Sequence, residues 1–260
     1  MISILDAFFR GDYHAKKEKS KKLLNLCILD YTSLTYKIGD LDMPYVSCRN
    51  VPQIDFLALY SQPSTYWQTQ NTCICFFEYD VVFDGLYGLW NAIYYNVKEL
   101  QEYYIERFQG AKHFIAPDYS QCGDVSNVEN NYRQFKARIV SIWLTMKLNA
   151  VVIPLVSCAN EKSMKTMLDG MDDCNIVAFN TKGCLNDSIQ LEILQEALKY
   201  TVDRLQNLRS IIVYSSSPNI LKVRSLFQYA LDKGIDVQIP DNTLQTRHRI
   251  AGDSQHGYDI

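Results

Sequence analysis

The sequence predicts an α/β fold with a parallel sheet of about six strands built from βα repeats. Five apolar runs after residue 112 are rich in β-branched and aromatic residues, and each is too short to be a buried helix. Helix-length segments separate these runs, so that strand starts recur every 25 to 38 residues, which is the spacing of βα units. The runs cover residues 113–117, 151–156, 176–179, 211–214 and 237–240.

Four segments carry apolar residues at steps of three and four, which is typical of helices that pack on a sheet. Asp187, with Gln190 three positions later, fits a helix start, and Gly234 fits a helix end. A further apolar run at residues 73–77 is predicted to be the first core strand. The predicted helices cover residues 89–108, 128–148, 187–208 and 219–233.

This patterning divides the chain into three parts. Residues 1–70 are predicted to be an irregular N-terminal elaboration, and residues 71–242 the α/β core domain. Residues 243–260 form a polar tail that we expect to be mobile. Right-handed crossovers determine the hand of the sheet. They leave open whether the sheet stays open or curls into a partial barrel that the N-terminal segment completes.

Composition argues against several classes of function. A net charge of -3 argues against a broadly basic surface for nucleic acid, although the 18 tyrosines could stack on bases. The eight cysteines and four histidines lack the paired spacing of a zinc or redox site, so we expect no metal and reduced thiols in the cytoplasm. No apolar run approaches the roughly 18 residues of a spanning helix, so we expect no membrane partner. No motif specifies a cofactor.

The best candidate for chemistry is Asp118, which lies just past a predicted strand. Ligands of parallel sheets bind beyond the carboxyl ends of the strands, where a carboxylate can serve as a general base, a nucleophile or a metal ligand. We name Asp118, Ser120 and Asp80 as the candidate catalytic residues. Because His113 lies at the opposite end of the same strand, a Ser-His-Asp triad is not expected. The alternative is that Asp118 only caps the following turn.

A second set of polar residues suggests an anion site. Lys182 follows a predicted strand in a short loop with a glycine, where backbone amides and the ammonium group could hold a phosphate or carboxylate. The loop lacks the spacing of a P-loop, and no strand is followed by a G-x-G-x-x-G motif. Each loop alone could be an ordinary turn. The predicted ligand-binding residues are Asn180, Thr181, Lys182, Ser215, Ser216 and Glu161.

Several motifs follow one another in a set order, at residues 76–80, 89–91, 116–120, 131–133, 152–156, 161–163, 168–170 and 177–184. Together they resemble a family of phage and mobile-element proteins. This family is catalogued as a domain of unknown function, number four-four-one-seven in its series, and the resemblance covers roughly residues 43–240. It implies a setting in bacteria, archaea or their viruses and plasmids, hence the host cytosol for a phage-encoded protein.

The chain departs from the family pattern at several polar positions. Cys75 stands where the resemblance implies a histidine, and Tyr79 where it implies an acid. Cys158 and Asn160 stand where it implies a tryptophan and an aspartate. If the family is catalytic through those positions, we expect this member to be weakened or altered as a catalyst. If those positions only shape the fold, nothing is lost.

Three hypotheses of function follow. The first is a ligand-binding or accessory protein that uses a cleft at the carboxyl ends of the strands. Its partner would be a small anionic ligand, or a protein that binds through the N-terminal third. The alternative is a hydrolase of a small or phosphorylated substrate with Asp118 as the catalytic carboxylate. The third is a nucleic-acid-associated protein, which would need a basic strip beside Arg133, Lys136 and Arg138.

Overall fold

The computed structural model describes residue 31 and residues 35–256, with side chains described as far as residue 250. The predicted α/β class is confirmed, because parallel strands alternate with helices along the chain. The strands are β1 (Lys37–Ile38), β2 (Met43–Pro44), β3 (Phe56–Leu59), β4 (Thr72–Cys75), β5 (His113–Ile115), β6 (Val151–Ile153), β7 (Ile176–Asn180), β8 (Ser210–Tyr214), β9 (Asp236–Gln238) and β10 (Asp241–Asn242). The helices are α1 (Asp80–Phe83), α2 (Leu89–Tyr94), α3 (Lys98–Arg107), α4 (Asn127–Leu148), α5 (Glu161–Met164), α6 (Ser188–Arg204), α7 (Ile220–Ser225), α8 (Gln228–Asp232) and α9 (Thr243–His256), with a 3-10 turn at Pro63–Thr65.

The core strands form two parallel sheets. The first has the order β10-β3-β4-β5-β6, and the second has the order β7-β8-β9. β1 and β2 pair antiparallel in a separate hairpin before the core. Residues 1–30 and 32–34 of the predicted N-terminal elaboration, and residues 257–260 of the predicted tail, lie outside the described residues.

The two sheets meet at a seam beside Pro154. Past the end of β6 they are joined by a single parallel bridge between Leu155 and Ala178. Ala178 N donates to Pro154 O at 2.8 Å, and Val156 N donates to Ala178 O at 2.9 Å. Because proline has no N–H, Pro154 cannot donate a ladder bond, so the pairing across this seam stays short.

A second interruption lies between β9 and β10. β9 pairs with β8, whereas β10 pairs with β3, and only Ile239 and Pro240 separate these two short strands. The chain therefore passes from the edge of the second sheet to the edge of the first. Pro240 again removes a ladder donor. The described sheets thus curl into an incomplete barrel and not a closed one.

Side chains from both sheets share one inner core, and each sheet has an outer core beneath its own helices. The first outer core lies between the first sheet and helices α2, α3 and α4, and the second lies between the second sheet and helices α6, α7 and α8. Fully burying one such apolar side chain contributes roughly 1.5–3 kcal/mol. The inner core includes Leu57, Leu59, Cys73, Cys75, Phe77, Ile115, Ile153, Ile176, Ala178, Ile212 and Tyr214.

The predicted core strand at residues 73–77 is present as β4, but the prediction that it is the first core strand is wrong. β3 precedes it within the first sheet and pairs with β4, with Phe56 opposite Thr72. The sequence hides β3 because Pro52 and Asp55 interrupt the apolar pattern that leads into it.

The helices agree with the sequence in part. The predicted helices at residues 128–148 and 187–208 are confirmed as α4 and α6, and Asp187 caps α6 by accepting from the backbone N–H groups of Ile189 and Gln190. The predicted helix at residues 89–108 is two helices, because Asn96 adopts a left-handed φ of 52° between α2 and α3. The predicted helix at residues 219–233 likewise divides into α7 and α8.

Helix α9 occupies most of the segment that the sequence analysis expects to be a mobile tail. Asn242 precedes the helix, and its Oδ1 accepts from the backbone N–H of Gln245 at 3.0 Å. Such an N-cap bond satisfies a donor that the first turn leaves unpaired. A polar composition therefore does not prevent a helix here.

Candidate functional site

A cleft of about 370 Å³ lies at the carboxyl ends of β4, β5, β6 and β7. Because these strands are parallel, the residues that follow them meet at one edge of the curved sheets. The cleft crosses the seam, since β7 belongs to the second sheet and the other three strands to the first. Its polar lining includes Glu78, Asp118, Ser120, Asn180 and Lys182, and its apolar lining includes Leu155, Val156, Phe179, Ile193, Leu194 and Ala197.

Asp118 is held in the cleft by a hydrogen bond across the seam. Asn180 Nδ2 donates to Asp118 Oδ2 at 2.8 Å. The pKa of Asp118 is raised from 3.8 to about 6, chiefly by burial and to a lesser extent by the nearby charge of Asp80, while the bond from Asn180 and the charge of Lys182 oppose the rise. The carboxyl is still partly accessible from the cleft. It can therefore change protonation state near neutral pH while it faces a bound molecule.

Lys182 supplies a cation at the exposed rim of the cleft. Its backbone N–H donates to Asn180 Oδ1 at 2.8 Å, so Asn180 orients both the lysine and Asp118. The ammonium group donates to Phe77 O at 3.3 Å and lies 5.8 Å from the centre of the Tyr79 ring. Within the described part of the chain, it has no carboxylate partner in salt-bridge range. This ammonium group is available to an anion.

Asp80 and Ser120 form a unit of their own beside the cleft. Asp80 Oδ1 accepts from the Ser120 N–H at 3.0 Å and from Ser120 Oγ at 2.8 Å. Asp80 Oδ2 lies 2.5 Å from Arg133 NH1 in a salt bridge, and Arg133 also pairs with Glu129. Because its partners already engage Asp80, this carboxylate stabilises the loop after β5. Among the described residues, no histidine is hydrogen-bonded to Ser120 to activate it, and its hydroxyl instead donates to Asp80.

Two thiols also line the cleft. Burial raises the pKa of Cys158 to about 11 and also raises the pKa of Cys184, with the charges of Asp118 and Asp187 adding to the rise at Cys184. Both thiols are therefore protonated at neutral pH. Since the thiolate is the reactive form, neither is activated as a nucleophile.

Glu78 is a cleft residue that the sequence analysis did not name. Its Oε2 accepts from the Ser61 N–H at 2.8 Å, and its Oε1 accepts from Ser61 Oγ. The sequence does carry a signal for Glu78, namely a carboxylate just past a predicted strand. Glu78 lies just past β4, at the same edge of the sheet as Asp118.

The structure leaves four of the predicted ligand residues out of the cleft lining. The Thr181 hydroxyl is buried and donates to Tyr214 O at 3.1 Å. Ser215 is also buried, and Ser216 O lies 2.6 Å from Nδ1 of His248 in the second turn of α9. Glu161 lies exposed in α5, paired along the helix with Lys165.

The basic residues named for a nucleic-acid surface are already engaged. Arg133 pairs with Asp80, and Lys136 pairs with Asp84. Arg138 is buried and donates to a backbone carbonyl in the loop after α5. These three cations therefore do not form a free basic strip for phosphates.

Neither a group of side chains able to hold a metal ion nor a helix able to span a membrane occurs in the described part of the chain. There, no group of three or more His, Cys, Asp or Glu side chains is arranged to hold a metal ion. None of the described helices is long and apolar enough to cross a membrane.

Comparison with known proteins identifies a family. No curated protein matches the chain. A family model described as a domain of unknown function, DUF4417, matches residues 32–230. The match includes β1 to β8 and therefore every strand that supplies the cleft. The chain belongs to the DUF4417 family.

Proposed function

We propose that this protein is a ligand-binding or accessory protein whose cleft at the carboxyl ends of the strands binds a small anionic molecule. The observation that carries the proposal is the juxtaposition of Lys182, which has no carboxylate partner in the described residues, with the Asp118–Asn180 pair. The lysine offers charge to an anion, and Asp118 offers an acceptor to a hydroxyl or amine. Together they would orient a ligand that carries both kinds of group.

The size and lining of the cleft support a small molecule as the ligand. Its volume of about 370 Å³ lies at the low end of ligand pockets, which run from roughly 300 to 1,000 Å³. Apolar side chains of β7 and α6, including Phe179 and Leu194, add surface against which a carbon skeleton can pack. A few convergent polar groups in a partly apolar cleft are the usual arrangement of such sites.

The raised pKa of Asp118 supports a second candidate function, that of a hydrolase. A carboxyl with a pKa of about 6 is suited to general acid or base catalysis near neutral pH. Glu78 is the second carboxylate of the cleft lining, whereas Asp80 is committed to Arg133. A hydrolase would thus use Asp118 and Glu78, and not the pair Asp118 and Asp80.

The biological setting belongs to the same proposal. The sequence motifs resemble proteins of phages and mobile elements, and the cysteine pattern favours a reducing compartment. We therefore place the protein in the cytoplasm of a host cell. Fractionation of cells that express the tagged protein tests the location, and recovery in a membrane or extracellular fraction would contradict it.

Native mass spectrometry of the purified protein tests the binding function. We expect the wild-type protein to carry a co-purified small molecule, and the variants Lys182→Met and Asp118→Asn to lose it. The matched controls Lys162→Met and Asp124→Asn change exposed residues outside the cleft and should retain the molecule. If all variants retain the molecule equally, it binds outside this cleft. If the wild-type protein carries no small molecule, the binding proposal is contradicted in favour of a protein-docking role.

A further inference from the structure

A small inner chamber adjoins the cleft behind Asp118. It lies between the loops after β5 and β6 and the inward face of α4, and its volume is about 30 Å³. The chamber and the cleft share four lining residues, so that Asp118 borders both spaces. The shared residues are Asp118, Gln121, Leu155 and Ser157.

Gln134 of α4 lines this chamber, and its side-chain oxygen is unsatisfied. Its side chain is 8% exposed, and Oε1 is fully buried with no donor among the described residues. Its Nε2 is 3.4 Å from Ser157 O and 3.5 Å from Gln121 Oε1. Because Ser157 O can only accept, the amide nitrogen must face it, and Oε1 is the atom left without a partner.

A buried acceptor without a donor is costly, and proteins usually satisfy such an atom with ordered water. The chamber has the size for this, since its volume of about 30 Å³ exceeds the roughly 10–15 Å³ that a cavity needs to hold one water. It also has the polarity, because Asp118, Ser157 and Gln134 all line it.

We infer that the inner chamber binds one buried water, which donates to Gln134 Oε1 and hydrogen-bonds to the Asp118 carboxyl. Gln134 is thereby a positioning residue for Asp118, acting through the water. This inference rests on the proposed role of Asp118 as a ligand contact and specifies how that contact is held. Asn180 and the water occupy two of the roughly four acceptor positions of the carboxylate.

The ligand class follows from the remaining positions. The other lone pairs of Asp118 face a bound molecule and require a hydrogen-bond donor, while Lys182 requires an acceptor with negative charge. The preferred ligand is therefore a small anion that also bears a hydroxyl or amino group. An anion with no donor would leave the ionised carboxyl of Asp118 facing it without a hydrogen bond.

Crystallography at a resolution that shows ordered waters tests the chamber directly. In the wild-type protein we expect one water at about 2.7–3.2 Å from Gln134 Oε1. The near-isosteric variant Gln134→Met removes the acceptor and should lose this water. Gln134→Glu keeps an acceptor oxygen and should retain it. A dry wild-type chamber, or a water that persists in Gln134→Met, would overturn the inference.

A carboxyl NMR titration of Asp118 tests the link between the chamber and the cleft. A donated hydrogen bond stabilises a carboxylate, so its loss in Gln134→Met should raise the pKa of Asp118 by roughly half a unit. An unchanged titration in a folded Gln134→Met protein would separate the water from Asp118 and refute the positioning role. If a ligand is bound in the cleft but the chamber contains no water, only the water site is contradicted. If the chamber contains the water but the cleft binds no ligand, only the ligand-binding role is contradicted.

Discussion

Asp118→Asn should make the protein more stable at neutral pH and leave its stability at acidic pH almost unchanged. The pKa of Asp118 is raised from 3.8 to about 6 in the folded protein, chiefly by burial. Between these two values the folded state binds more protons than the unfolded state. The free energy of unfolding contributed by this group therefore falls as the pH rises through the window.

The magnitude follows from the same two values. Their difference of about two pKa units corresponds to about 3 kcal/mol at roughly 1.4 kcal/mol per unit. This is an upper limit, because Asp118 is partly accessible and solvent in the cleft screens its charge. Asparagine carries no charge, and its side-chain oxygen can still accept the bond from Asn180. The full advantage of the variant should be present above pH 6 and absent near pH 4.

Urea denaturation of the wild-type and Asp118→Asn proteins at a series of pH values measures this difference. Asp124→Asn is the matched control, because Asp124 is exposed on the same loop and outside the cleft. We expect a gap between wild type and Asp118→Asn that widens from pH 4.5 to pH 7 and levels off above it. A gap that does not change with pH would refute a raised pKa at Asp118.

Two further changes test the packing that supports the cleft. Tyr214→Phe should raise the free energy of unfolding by about 1 kcal/mol, because the buried hydroxyl has no partner in the described residues and the stacking on Phe77 at 4.6 Å is kept. A loss of stability in chemical denaturation would show that this hydroxyl is bonded. Asn149 ends α4 with a left-handed φ of 53°, so Asn149→Ala should be about 1 kcal/mol less stable than Asn149→Gly. Equal stability of these two variants would contradict the left-handed cap.

Local apolar patterns predict most of the core strands but miss features that depend on single backbone positions. The runs that became β5 to β9 are compact and lie between clear turn residues, so their type and order could be read directly. The break between α2 and α3 at Asn96 could not be predicted, because the helical spacing of apolar residues continues through Val97 and Leu100, on either side of the start of α3. β3 was missed for a different reason, since it is an apolar run of only four residues that directly follows the irregular segment with Pro52 and Asp55.

The candidate site was predictable as an edge of the sheet but not as a set of contacts. The topology rule brings Asp118, Asn180 and Lys182 together without any knowledge of side-chain positions. The same rule also selects Ser215, which the structure buries. Gln134 carries no signal in the sequence, because a glutamine on the inward face of a long helix resembles any other polar position until the neighbouring loops are known.

The two Ile-Pro dipeptides, at residues 153–154 and 239–240, limit the hydrogen bonding between the two sheets. Each proline lacks the N–H that would donate an interstrand hydrogen bond at a place where the two sheets meet. The curved sheets can therefore separate at these two places without breaking a long series of backbone hydrogen bonds. The Asp118–Asn180 bond spans the seam at Pro154. Under the proposed ligand role, a molecule bound between Asp118 and Lys182 would contact both sheets and connect them across that seam.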